Sequence, residues 1–182
     1  MLTPGERQEL LRLARRSVEA AARRSRSPAP APEAASLCRA GGAFVTLHRA
    51  GQLRGCIGTF ETSEPLYRTV AEMAHSAAVG DPRFAPVTPA EVPELDVEIS
   101  VLSPLVRAER PEEVEVGRHG VYIIDGNYRG VLLPQVAVEH GWDRETFLDQ
   151  TCRKAGLPPG AWRRGGTIYV FEAEVFGESD TG

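Results

Sequence analysis

The segments Ala43-Phe44-Val45-Thr46-Leu47-His48, Arg49-Ala50-Gly51-Gln52 and Leu53-Arg54-Gly55-Cys56-Ile57-Gly58 read in succession as a strand, a turn and a returning strand. In the last of them a cysteine stands between two glycines and near an arginine. Glycine lets the backbone bend sharply and lets another group approach closely. Arginine brings a fixed charge and a fork of donors, which favour a thiolate and bind carboxylate or phosphate. The same six residues also fit a glycine-rich hairpin arm carrying one small buried hydrophobe, because free cysteine is among the most buried residue types.

Upstream of this hairpin, Thr3-Pro4-Gly5-Glu6 has the form of a capped helix start, and Leu10, Leu11, Ala14, Val18 and Ala21 follow at helical spacing, predicting a helix that ends near Arg24. Residues 25–36 alternate proline with small residues and cannot continue it; they form a surface connector. Downstream, Leu66, Val70, Met73 and Ala77 predict a helix that starts near Pro65 and stops at Gly80. Thr88 and Glu91 form a second capping pair, predicting a short helical turn before Pro93. Residues 95–102 alternate, with Val97, Ile99 and Val101 facing one way and Asp96, Glu98 and Ser100 the other. Asp125-Gly126-Asn127 joins two further strands, 121–124 and 128–133. Pro134 begins a short helix, Asp143 caps a longer one with Phe147, Leu148 and Cys152 inward, and 167–176 is a final long strand. Hairpins dominate, which predicts an α+β fold with a mixed, mostly antiparallel sheet flanked by helices, in one domain over 1–182.

Composition sets limits. With 182 residues, 42% hydrophobic and 25% charged, the chain is that of an ordinary globular domain. A net charge of -4 disfavours broad nucleic-acid binding without excluding a local basic patch. No apolar run is long enough to span a bilayer. Cys38, Cys56 and Cys152 form neither a CxxC pair nor a Cys/His zinc spacing, which predicts free thiols, a cytoplasmic protein and no metal site.

Further segments stand in a distinctive order around the run 53–58: Phe44-Val45-Thr46-Leu47 before it, then Asp81-Pro82-Arg83-Phe84, Glu98-Ile99-Ser100-Val101-Leu102, His119-Gly120, Leu132-Leu133-Pro134-Gln135-Val136-Ala137, Trp142-Asp143 and Phe147-Leu148. In this respect the chain resembles the AMMECR domain family over about residues 5 to 176, and the Leu-Arg-Gly-Cys-Ile-Gly hallmark matches without a gap. The resemblance implies an α+β fold with a cleft near 53–58 and no established reaction; no cofactor is expected. It also implies a pathway shared with a Memo-type protein and a radical SAM enzyme, the two kinds of protein encoded beside many family members.

Two functional expectations follow. In one, Cys56 is a nucleophile, His119 its base, Glu98 the group that orients the histidine or acts as base itself, and Arg54 and Arg83 the pocket for an anionic or carbonyl substrate. Gly55, Gly58 and the Gln135 amide complete the binding surface. In the other, the chain is a non-catalytic module that presents a substrate, peptide or nucleic acid to a partner enzyme, with an unreactive Cys56 and binding carried by Arg54 and Arg83. Each residue also has a plain structural role. His119 lies in a glycine-rich turn, Asp81-Pro82 rigidifies a loop that Phe84 plugs, and Gln135 serves a helix start.

Overall fold

A computed structural model of the chain describes residues 1–60 and 62–181. The fold is α+β, and each strand pairing given below is antiparallel. The backbone packs as two compact units, one of residues 1–102 with the C-terminal residues from 174, the other of residues 103–173.

The first unit contains helix α1 (Pro4–Ala22), strands β1 (Ala43–Arg49) and β2 (Gln52–Thr59), helix α2 (Leu66–Val79) and strand β3 (Leu95–Leu102). α1 begins as its sequence predicts: Glu6 N–H donates to the Thr3 hydroxyl, while the Glu6 carboxylate accepts from the Thr3 N–H at 2.6 Å. β1 and β2 are joined by Ala50-Gly51, whose φ angles of 50° and 74° are those of a two-residue type I′ turn. The register then slips. Leu47 faces Gly55 and His48 faces Leu53, so Arg54 is an extra, bulged residue. β3 pairs with the other side of β1, setting Thr46 opposite Glu98 and leaving β2 with a single strand partner within this unit.

One face of this three-stranded layer carries Ala43, Val45, Leu47, Val97 and Ile99, all completely buried in a cluster with Leu10, Ala14 and Val18 of α1 and Val70 and Ala74 of α2. Each large side chain buried in this way is worth about 1.5–3 kcal/mol. The opposite face, with Thr46, His48, Asp96 and Glu98, is half-buried. α2 approaches closely because Gly55 has no side chain: a Cβ there would run into the Ala77 carbonyl. α1 is pinned at its middle by Arg15, which pairs with Glu178 and donates to the carbonyls of Val92 and Leu95. The connector 25–36 contains neither helix nor strand and leads to Leu37, which is wholly buried.

The second unit contains β4 (Val106–Ala108), β5 (His119–Asp125), β6 (Tyr128–Leu132), α3 (Pro134–Glu139), α4 (Arg144–Lys154) and most of β7 (Thr167–Gly177). β7 has β4 on one side and β5 on the other, and β5 pairs in turn with β6. Gly126, at φ 56°, makes the tight turn of the β5–β6 hairpin. α4 is capped by Asp143, which accepts the Thr146 N–H at 2.8 Å, and buries Phe147, Leu148 and Cys152. Most predicted elements stand within two or three residues of their expected bounds. Two differ more. Thr88 and Glu91 do form their side-chain pair, but the helical turn follows it, at Val92–Glu94. β4 has no counterpart among the predicted strands.

Candidate functional site

Cys56 sits on the edge strand β2, half-exposed, on the layer face away from the helices. Its backbone points outward. The N–H donates to Asp81 Oδ2 at 2.9 Å, and the carbonyl accepts from Arg83 Nη2 at 3.3 Å. With both groups turned away from β1, Thr46 and Cys56 face each other as a non-hydrogen-bonded pair, the arrangement that brings side chains closest. The Thr46 hydroxyl accordingly donates to the Cys56 sulfur at 3.3 Å.

The loop after α2 supplies the clamp. The Asp81 side chain is only 2% exposed, against 55% for Arg83. Besides the Cys56 N–H, the carboxylate accepts from the Arg83 backbone N–H and Nε, each at 3.0 Å, and from Nη2 at 2.7 Å. The Arg83 fork, together with the two backbone donors, holds the Asp81 carboxyl well below the usual carboxylate range despite its burial.

Arg54, thrown out by the bulge, has a carboxylate partner of its own. Nε donates to Glu91 at 3.0 Å and Nη2 at 3.4 Å, while Glu91 also accepts from the Thr88 N–H and hydroxyl at 2.9 Å each. Arg54 first, and then Thr88, lower the Glu91 carboxyl to about 2. Arg54 Nη1 is buried and has no hydrogen-bond partner among the described residues. Both guanidiniums lie against one ring, 5.9 Å for Arg54 and 5.5 Å for Arg83 from the Phe84 centroid, within cation–π range.

The first unit therefore gathers Cys56, Arg54 and Arg83 along one edge, with Glu98 in the same row as Cys56. Register sets Cys56, Thr46 and Glu98 side by side on β2, β1 and β3. Two strand spacings, roughly 10 Å at the backbone, separate the thiol's strand from that of Glu98. The two glycines are filled from within the protein. α2 lies over Gly55, and a Cβ at Gly58 would run into the Phe44 ring, which packs edge-on against Phe60.

His119 and Gln135 belong to the second unit. His119 opens β5, and its Nδ1 lies 3.1 Å from both the Glu115 N–H and the Glu113 carbonyl. One nitrogen serves only one of these at a time, accepting from the first or donating to the second, so Nδ1 is engaged in its own loop and Nε2 is left for other chemistry. Gln135 is half-buried in the first turn of α3. Among the described residues no group of three or more His, Cys, Asp or Glu is placed to hold a metal ion, and no helix is long and apolar enough to cross a membrane.

Sequence reasoning missed Thr46, Asp81 and Glu91 as parts of this site. Thr46 was accessible to it, because a two-residue loop with one bulged residue puts Thr46 opposite Cys56. The carboxylate partners were not, because pairing over 25 and 37 positions leaves no local pattern.

This arrangement, an α+β protein with a clamped Gly-Cys-Ile-Gly edge strand, corresponds to one family. The AMMECR1 pattern matches residues 11–176, and the chain belongs to the AMMECR1 family. It is 48% identical to protein TK0174 of Thermococcus kodakarensis over 93% of this chain and 88% of that one, and 44% identical to a protein of Methanothermobacter thermautotrophicus over 97% and 96%. Among solved structures, the uncharacterized protein PH0010 from Pyrococcus horikoshii is similar, with a TM-score of 0.85 at 44% identity over 93% of this chain and 89% of that one.

Proposed function

We propose that the half-buried face around Cys56 is the working surface of this protein, and that the Cys56 thiol is its nucleophile toward a small anionic or carbonyl-containing substrate. The observation that carries this reading is the Thr46 hydroxyl directed at the sulfur beside a backbone locked by Asp81 and Arg83. A donor on sulfur favours the thiolate, and a fixed backbone holds the attacking atom in place. In the step envisaged, the sulfur adds to the carbonyl carbon, a C–S bond forms, and the π pair moves to oxygen, which takes a proton. Arg83, more than half exposed, receives the anionic group, with Arg54 behind it. Glu98, in the same row as Cys56, serves as the general base for the thiol proton. The protein works in the cytoplasm, in a pathway shared with Memo-type and radical SAM proteins.

One observation favours a second reading. Arg54 and Arg83 both have carboxylate partners, as befits a non-catalytic module presenting a substrate, peptide or nucleic acid to a partner enzyme. Alkylation of Cys56 by iodoacetate and by iodoacetamide separates the two. The enzyme reading expects the anionic reagent to be favoured at Cys56 relative to Cys38, and that preference to disappear in Arg83→Gln. Equal preference at both cysteines would support the module.

A further inference from the structure

A cavity of about 410 Å³ opens in the first unit, where α1 and α2 meet the start of the connector; Cys56 is not among its lining residues. Its size is that of small-molecule sites. Two polar side chains on its lining are almost wholly buried, Ser17 of α1 and Thr69 of α2, each 4% exposed. Thr69 donates to the Pro65 carbonyl at 3.4 Å. The Ser17 hydroxyl makes no hydrogen bond to any described residue. Its oxygen lines the cavity and is available to a ligand there.

The rim carries both signs of charge. Arg26 of the connector pairs with Glu72 of α2 at 2.7 Å, and Arg68 lies 3.7 Å from Glu64. Arg68 donates through Nε to the Tyr67 hydroxyl and pairs through Nη1 with the Glu64 carboxylate. The Arg68 guanidinium is 60% exposed, and such a fork suits a carboxylate. A simple anion would also face Glu64 and Glu72. A ligand with an ammonium beside its carboxylate turns those two glutamates from repulsion to attraction. Among the described residues the rim's two arginines and two glutamates sum to zero, which matches a ligand of no net charge that carries both signs.

We propose that this cavity binds a free α-amino acid with a polar, uncharged side chain. The carboxylate lies on Arg68 and the ammonium on Glu64 and Glu72, with the side chain reaching inward to the Ser17 hydroxyl. The Arg26–Glu72 pair, with both side chains at least half exposed, spans the mouth between connector and α2 and exchanges partners as the ligand enters.

The test is calorimetric titration of the full chain with L-serine, L-threonine, L-asparagine and L-glutamine, with propionate and glycerol as probes that keep only part of the chemistry. At least one of the amino acids is expected to bind saturably at millimolar concentration or below, and propionate and glycerol are not. Arg68→Gln should weaken binding about tenfold or more, as loss of a charge-assisted bidentate contact does. Ser17→Ala, which suits a helix interior and adds no bulk, should weaken it severalfold without loss of fold, read by circular dichroism. No saturable binding by any of the four, equal binding of propionate or glycerol, or affinities unchanged in Arg68→Gln would each overturn the proposal.

Discussion

At the scale of single residues, the site is governed by two carboxylates, the buried Asp81 and the half-buried Glu91. Asp81 satisfies the outward N–H of Cys56 and fixes Arg83, which satisfies the carbonyl of the same residue. Asp81→Asn keeps the shape but removes the charge, leaving the Arg83 fork against a neutral amide. The expected loss is about 2–3 kcal/mol in chemical denaturation. Glu91→Gln should cost a similar amount, because Arg54 already has one buried nitrogen with no acceptor among the described residues and would lose the carboxylate it pairs with. Either variant denaturing at the wild-type midpoint would show that the clamp contributes nothing. The sequence made Cys56, Arg54 and Arg83 visible as a group, since unusual residue types stood close together or in a rigid loop. It could not reveal that Arg54 pairs with Glu91 or that Asp81 reaches back to the Cys56 N–H, because those contacts span 37 and 25 positions; the Asp81–Arg83 pair, two residues apart, lay within a single segment.

Elements obey simpler rules and were more legible. Alternation placed β3 at its observed bounds, and the Thr3–Glu6 box placed the start of α1. β4 was invisible because three residues are too few to display a period. The β1–β2 turn carries a local strain that sequence alone did not mark: Ala50 holds φ 50°, a left-handed conformation that costs a non-glycine residue about 1 kcal/mol or more. Ala50→Asn produces the Asn-Gly pair preferred in this turn and should raise the stability by up to about 1 kcal/mol. An unchanged or lowered melting temperature would count against the turn assignment. Gly55→Ala tests the packing of α2 on β2. The added methyl meets the Ala77 carbonyl, so a loss of about 1–3 kcal/mol is expected, as for other overpacked sites. If Gly55 served only flexibility, the same change would be nearly neutral or stabilising.

For the whole molecule, the clamp predicts how stability depends on pH. Asp81 and Glu91 both have carboxyls lowered on folding, so the folded state releases these protons more readily than the unfolded chain. Their contribution is complete above the ordinary values of 4.5 for Glu91 and 3.8 for Asp81, and is lost as the pH falls below them, toward 2 for Glu91 and further for Asp81. Acid titration followed by circular dichroism should show stability falling below about pH 4.5, less steeply in Glu91→Gln. The division of the chain into two units had no signature in the sequence. No linker marks residue 102, and β7 begins in one unit and ends in the other. The central claim is that Cys56 is a working thiol and not a packed one, and the most direct test is the rate of alkylation at each cysteine of the intact chain at neutral pH. Cys38 is exposed and Cys152 is buried, its thiol pushed up by desolvation, so the two bracket the range. The account predicts that the half-exposed Cys56 reacts faster than the exposed Cys38, and that Thr46→Val slows it. A Cys56 that reacts no faster than Cys38 would contradict it.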